Sequence, residues 1–108
     1  MSDNQSVFRV DKFIVPQASK QEFLQRVLAT HEILRKQPGF IQDQLLEQVA
    51  GPGRYNIVTI AQWQSQATID AAKAVVMEAH QAMGFSAQET MQRLGIEGDI
   101  GNYQVIGG

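Results

Sequence analysis

Cysteine is absent from the 108 residues, which removes disulfide frameworks, thiolate metal sites, iron–sulfur clusters and cysteine nucleophiles together. A chain with no thiol to protect or oxidise is expected in the cytoplasm. Long apolar runs are also missing. No stretch approaches the roughly 20 residues needed to cross a bilayer, and the polar start Met-Ser-Asp-Asn-Gln-Ser lacks the basic and apolar regions of a secretory leader. No surplus of positive charge exists either: the formal net charge is −2 with both signs interspersed, so there is no basic stripe for nucleic acid. No glycine-rich phosphate motif occurs, and the two histidines, His31 and His80, have no carboxylate or thiol at metal-ligating spacing. Neither a metal nor a nucleotide is therefore expected. Length alone allows one domain, spanning 1–108, too small to hold separate cofactor and substrate domains.

What remains is a regular alternation of strand and helix signals. Residues 7–16 are rich in β-branched and aromatic types and stop at Pro16, which predicts a first strand. Ser19-Lys-Gln-Glu22 reads as a capping box, and Phe23, Leu24, Val27, Leu28, His31 and Leu34 form one stripe of a helix that Gln37-Pro38-Gly39 ends. Gly39, between a helix exit and a strand, is expected in a conformation that a side chain would strain by about 1 kcal/mol. Residues 40–49 and 55–64 predict a hairpin around Ala50-Gly-Pro-Gly53. Ser65 can cap a second helix to about Met83, with the stripe Ile69, Ala72, Val76, Ala79, His80 and Met83. Ser86-Ala-Gln-Glu89 opens a short helix closed by Gly95, and residues 100–106 supply a last strand. Residues 1–6 and 107–108 are expected to be flexible.

The order βαββαβ predicts an α+β, ferredoxin-like domain: a four-stranded antiparallel sheet with helices on one face. Yet the first strand is apolar on both sides, with Phe8, Val10 and Ile14 opposite Val7, Phe13 and Val15, and the third sets Val58 and Ile60 opposite Ile57 and Trp63. Something must cover the helix-free side, and the sheet of a second identical chain is the simplest cover. A homodimer is expected. No membrane partner and no nucleic acid is.

Both histidines fall on sheet-facing stripes. Each is either satisfied by neighbouring backbone, or the pair borders a polar cavity. In a shared cavity, desolvation and like-charge repulsion oppose a second proton, so at least one imidazole should titrate below about 6.5. Asp11 breaks the apolar row of Val7, Phe13 and Val15; a carboxylate there can act as a base or orient a histidine, and its plain alternative is an ion pair with Arg9. Tyr55 and Tyr103 are ordinary strand residues, either of which could donate to a ligand oxygen.

Three features narrow the family: Pro38-Gly-Phe40 between the first helix and second strand, Trp63 closing the third strand just before Ser65, and His80 late in the second helix. In this order and spacing the whole chain resembles the antibiotic biosynthesis monooxygenase (ABM) family. The resemblance implies a dimeric α+β barrel and a cofactor-independent monooxygenase acting on a small aromatic or quinol-like substrate between sheet and helices. It also implies that Trp63 lines the pocket. Members carry an asparagine four residues before that tryptophan, and this chain has Thr59, whose hydroxyl can still donate one hydrogen bond. The site so expected comprises Asp11, His31 and His80 as catalytic candidates, with Trp63, Thr59 and Tyr55 contacting substrate. The alternative is a binding or stress-related dimer that keeps the fold without the chemistry. His80 resembles the haem-ligating histidine of the haem-degrading branch in its place on the second helix, but haem degradation is disfavoured, because the asparagine and tryptophan of that branch fall at Asp11 and Ala72, while simple haem binding stays open.

Overall fold

The computed structural model describes residues 6–107. Four strands, β1 (Val7–Ile14), β2 (Phe40–Glu47), β3 (Ile57–Trp63) and β4 (Glu97–Tyr103), form one antiparallel sheet in the order β2-β3-β1-β4. Helices α1 (Lys20–Leu34) and α2 (Gln66–Ala82) turn buried residues toward one face of it, and the short α3 (Ala87–Leu94) precedes β4. This is the α+β, ferredoxin-like arrangement expected from the element order. Among the described residues no helix is long and apolar enough to cross a membrane. The mobility expected of residues 1–5 and Gly108 lies outside the described residues; Ser6 is buried, and Gln62 Nε2 donates to its hydroxyl at 3.3 Å.

Side-chain parity on the two central strands decides what the helices cover. Val7, Phe13 and Val15, with Ile57, Thr59, Ala61 and Trp63, are buried on the helix-covered face. Phe8, Val10, Ile14, Val58 and Ile60 alternate with them and occupy the other side. The covered core is split in two. Val7, Ala61, Trp63, Ile69 and Ala72 form one cluster, flanked by Leu34 and Phe40. Phe13, Val15, Phe23, Ile57 and Ile96 form the other, flanked by Leu24, Val27, Met91 and Leu94.

The caps show which local signals held. Ser65 accepts from the Thr68 N–H at 3.3 Å while Thr68 Oγ1 accepts from the Ser65 N–H at 3.2 Å, so α2 starts on a reciprocal box. Ser86 accepts from Glu89 N–H, and Gly95 closes α3 in the left-handed region at φ 71°. The box expected at Ser19 does not form. A single 3-10 turn (Gln17–Ser19) leads into α1, and Ser19 Oγ donates instead to Leu94 O at 2.8 Å, tying α1 to the end of α3; Glu22 pairs with Arg93 on the same helix. Leu28 and Met83, placed on the apolar stripes, are 49% and 61% exposed, and Met83 is the C-cap of α2 rather than part of it. The last strand begins three residues earlier than expected, at Glu97, and ends at Tyr103, since the Gly95 cap turns the chain straight into pairing with Ile14 and Phe13.

Candidate functional site

The space between the two core clusters is a cavity of about 330 Å³, near the lower end of ligand-site volumes. Its floor is set by strand register. On the helix-covered face, Asp43, Ala61, Arg9 and Asn102 stand in one row across the four strands, and Leu45, Thr59, Asp11 and Ile100 in the next. Ala61 is small, so the middle of the first row is left open. Trp63 bounds the floor on one side and Phe13 on the other, and α1 and α2 roof it with Phe23, Val27, Ile69 and Val76.

Both histidines reach this cavity. His31 is buried on α1, and its Nδ1 lies 2.8 Å from Asp43 Oδ2. Arg35, one turn further along α1, donates to both Asp43 oxygens, at 2.9 and 3.2 Å. Burial pushes the Asp43 carboxyl upward, but the hydrogen bonds from Arg35 and His31, with their charges, outweigh it and hold the group below its ordinary value. Asp43 is therefore an anion, and the Nδ1 that faces it carries the proton. That tautomer leaves Nε2 as an acceptor. His31 Nε2, Thr59 Oγ1 and Trp63 Nε1 make no hydrogen bond among the described residues, and none of them is sealed from solvent-sized space. Three buried side chains, each with a polar atom that makes no such bond, thus line one largely apolar cavity.

His80, on α2, differs. Its Nε2 lies 3.4 Å from Thr30 Oγ1, and its ring stands edge-on to Phe85 at 4.7 Å between centroids. Desolvation, and then the charge of Arg26, lower its pKa from the usual histidine value. The folded-state value is below the unfolded one, so the neutral ring's contribution to stability is complete above about pH 6.5 and is lost as pH falls through the folded value. By proton NMR, His80 should titrate with a midpoint below about 6.5, and Arg26→Gln should raise it part of the way back. A midpoint at or above the free-histidine value in the wild-type chain would contradict this environment.

Of the other expected residues, Asp11 lines the cavity but is held by Arg9, whose Nε donates to Oδ1 at 2.7 Å. The plain ion-pair alternative is realised. Thr59 and Trp63 line the cavity as expected. Tyr55 does not: it sits in the coil before β3, where its hydroxyl donates to Asp99 at 3.2 Å and Lys12 approaches its ring. Tyr103 is half-exposed on the helix-free side. Asp43 and Arg35 were not singled out from the sequence. The available signal was Arg35 one turn beyond His31 on the same helix face, followed by a lone acid in an otherwise uncharged stretch of β2. Among the described residues no three His, Cys, Asp or Glu side chains gather at one point as a metal site would require.

The helix-covered face of this ferredoxin-like sheet thus carries a ligand-sized, largely apolar cavity with a carboxylate-backed histidine on its wall. The chain belongs to the antibiotic biosynthesis monooxygenase family, whose profile matches residues 6–83. No curated protein matches it. Solved structures of similar shape include a candidate monooxygenase from Shewanella loihica PV-4 (24% identity, 94% of this chain and 95% of that one covered, TM-score 0.72). SnoaB, a cofactor-independent oxygenase from Streptomyces nogalater, is similar at 20% identity, with 96% of each chain covered and a TM-score of 0.71. The haem-degrader MhuD from Mycobacterium tuberculosis is similar at 22% identity, with 93% and 95% covered and a TM-score of 0.68. At these identities the likeness establishes the fold.

The last neighbour raises the question of haem. The imidazole placed for it, His80, has its Nε2 turned to Thr30 Oγ1 and its ring packed edge-on to Phe85, and Asp11 and Ala72 stand where that branch has its asparagine and tryptophan. The residues present do not fit haem.

Proposed function

We propose that the chain is a cofactor-independent monooxygenase that oxidises a small aromatic substrate of the phenol, quinol or anthrone type in the cavity beside Trp63. The observation that carries this reading is His31: a buried imidazole on the cavity wall with Nδ1 fixed by Asp43 and Nε2 without a hydrogen-bond partner among the described residues. That arrangement is a positioned general base. Trp63 offers a flat face for ring packing, and its N–H and the Thr59 hydroxyl can donate to substrate oxygens as negative charge builds there. Thr59 stands where the family carries asparagine, so one of these donors is a hydroxyl instead of an amide.

For an anthrone-type substrate, His31 Nε2 takes a proton from the ring carbon and leaves a delocalised carbanion–phenolate. The anion passes one electron to molecular oxygen, the resulting radical and superoxide combine to a peroxide anion, and this takes the proton back from His31 to give a hydroperoxide. Loss of water then leaves a carbonyl. One oxygen atom stays in the product, and the other departs in water with the two hydrogens removed from that carbon. Exclusion of water by the apolar walls keeps the anion reactive toward oxygen. Oxygen uptake on a panel of anthrones and quinols tests the proposal. Stoichiometric uptake with carbonyl product is expected; no uptake on the panel together with tight binding would favour a non-catalytic binding protein.

The same reading includes a homodimer. Phe8, Val10, Ile14, Val58 and Ile60 give the helix-free face an apolar centre, with Gln42, Gln44 and Gln62 on one side and Lys12 and Asp99 on another. Burying such a face against a copy of itself removes its apolar centre from water. Light scattering at micromolar concentration should give twice the 12.0 kDa chain mass, and Val10→Glu should halve it. A wild-type monomer would remove the dimer from the proposal.

A further inference from the structure

Whether His31 can act as a base depends on which ring nitrogen carries its proton, and the group that decides this begins with a side chain outside the cavity. Asp43 stands on β2, an edge strand of the sheet, and its side chain is 9% exposed. Its Oδ2 accepts from His31 Nδ1 at 2.8 Å and from Arg35 Nε at 2.9 Å, while its Oδ1 accepts from Arg35 Nη2 at 3.2 Å. The guanidinium thus holds both oxygens, and the imidazole only one. Arg35 is the C-cap residue of α1, one turn beyond His31 on the same helix face, and its backbone N–H donates to His31 O at 3.0 Å. It does not line the cavity, and its side chain is 47% exposed.

One hydrogen bond would not keep this carboxylate in place. An aspartate on an edge strand can turn about its side-chain torsions toward water, and a nearly buried anion gains by doing so unless a cation faces it. A neutral imidazole supplies no such cation. Arg35 does, and its planar fork fixes the plane of the carboxylate as well, because two parallel N–H bonds tolerate far less rotation than one. Among the described residues no other side chain bonds Asp43. The consequence reaches the ring. A neutral imidazole can carry its proton on either nitrogen, and the nitrogen facing a fixed, anionic oxygen keeps it.

Resting on the reading of His31 as the base, we infer that Arg35 is a positioning residue of the site: by gripping both Asp43 oxygens it locks His31 in the tautomer with the proton on Nδ1, which leaves Nε2 as the accepting nitrogen. Arg35, Asp43 and His31 form a line from solvent to the cavity along which orientation is passed on, and no proton moves between them. Since Arg35 meets no wall of the cavity, its loss weakens proton abstraction and leaves substrate binding as it was.

Ring nitrogens report the tautomer without turnover. The chain has only two histidines, so a long-range nitrogen-15 correlation spectrum resolves both rings, with His80 as the internal reference. At a pH where both rings are neutral, wild-type His31 should show a protonated, pyrrole-type Nδ1 and an unprotonated, pyridine-type Nε2. In Arg35→Met, which keeps an unbranched stem and removes every donor, the two signals should move toward their common mean. Arg35→Lys keeps the charge without the fork and should fall between, and it carries the test if the methionine variant folds poorly. For anthrone oxidation, Arg35→Met should lower kcat by about threefold to tenfold with KM within about twofold of wild type. In an Asp43→Asn background the same replacement should change neither the spectrum nor kcat further, whereas a role confined to holding the end of α1 would cost the same in both backgrounds. Unchanged His31 signals in the Arg35 variants, an unchanged kcat where the signals do move, or equal kcat losses in the two backgrounds overturns the inference. A tautomer shift in a chain that takes up no oxygen on any anthrone would sustain the lock and sink the oxygenase reading, and uptake with an unmoved tautomer would sink the lock alone.

Discussion

Replacing His31 with glutamine should lower kcat for anthrone oxidation by about a hundredfold to a thousandfold, within the range that a positioned acid–base group supplies. That factor corresponds to about 3–4 kcal/mol of barrier. Glutamine keeps approximate size and polarity but offers no basic nitrogen of the right strength. Asp43→Asn should act through His31 rather than on substrate. An amide facing Nδ1 can present N–H instead of oxygen, and the ring then turns its own proton toward the cavity, where a base is needed. A loss of at least about tenfold in kcat with little change in KM is expected, because the carboxylate touches no substrate atom. The two losses should not add when combined, since both remove the same function. Stability reports the same pair independently. The Asp43 pKa is lower in the folded chain than in the unfolded one, so its contribution to stability is complete above about pH 3.9 and is lost as pH falls through the folded value. Asp43→Asn should flatten that part of the acid-unfolding curve. A His31→Gln enzyme with wild-type kcat would end the case for His31 as the base.

The histidines were legible in the sequence because a helix repeats its faces regularly: His31 shares a stripe with Phe23, and His80 with Ile69 and Ala72, and the structure turns all of them toward the sheet. Trp63 was legible because β3 alternates without interruption from Ile57. Asp43 was hidden by an irregularity. Between Phe40 and Gln42 the pairing with β3 slips, so that Phe40 opposite Trp63 and Asp43 opposite Ala61 both face the helices although they are an odd number of residues apart. Counting by twos from Phe40 puts Asp43 on the wrong side. A bulge reverses parity while leaving composition untouched, and the sequence carries no residue that announces this one. Tyr55 failed for the opposite reason. Its parity matches Thr59 and Trp63, but regular pairing with β1 starts only at Ile57, and parity has no meaning before it. At Ser19 the capping pattern was present, yet a tertiary acceptor, Leu94 O, outcompeted the local one.

Gly39→Ala should cost about 2–4 kcal/mol, the largest loss expected from adding one methyl group to this chain. Two effects combine. The backbone there has φ +87°, which penalises any side chain by about 1 kcal/mol. In addition, a Cβ would fall 2.4 to 2.7 Å from three side-chain atoms of Thr68, far inside contact distance. Thr68 cannot swing aside cheaply. Its hydroxyl donates to Ser65 O at 2.7 Å and accepts from Ser65 N–H at 3.2 Å, so moving it dismantles the cap of α2. Gly39 cannot retreat either, because its carbonyl accepts from Gln64 N–H at 2.8 Å and the next residue, Phe40, stands edge-on to Trp63 at 5.3 Å. The strain should therefore pass into the cavity wall as well as into stability. Gly51→Ala is the control: its φ is +99°, but no atom lies within 4 Å of the added carbon, so only the backbone penalty of about 1 kcal/mol applies. For a domain near this size each kcal/mol lowers Tm by roughly 4–8 °C. Thermal melts should show Gly39→Ala falling by on the order of 10–20 °C and Gly51→Ala by less than about half as much. The Gly39 variant should also show a shifted Trp63 emission spectrum, while the control keeps the wild-type one. Equal Tm losses with unchanged emission in both variants would mean that the contact with Thr68 contributes nothing and that backbone conformation accounts for the whole effect.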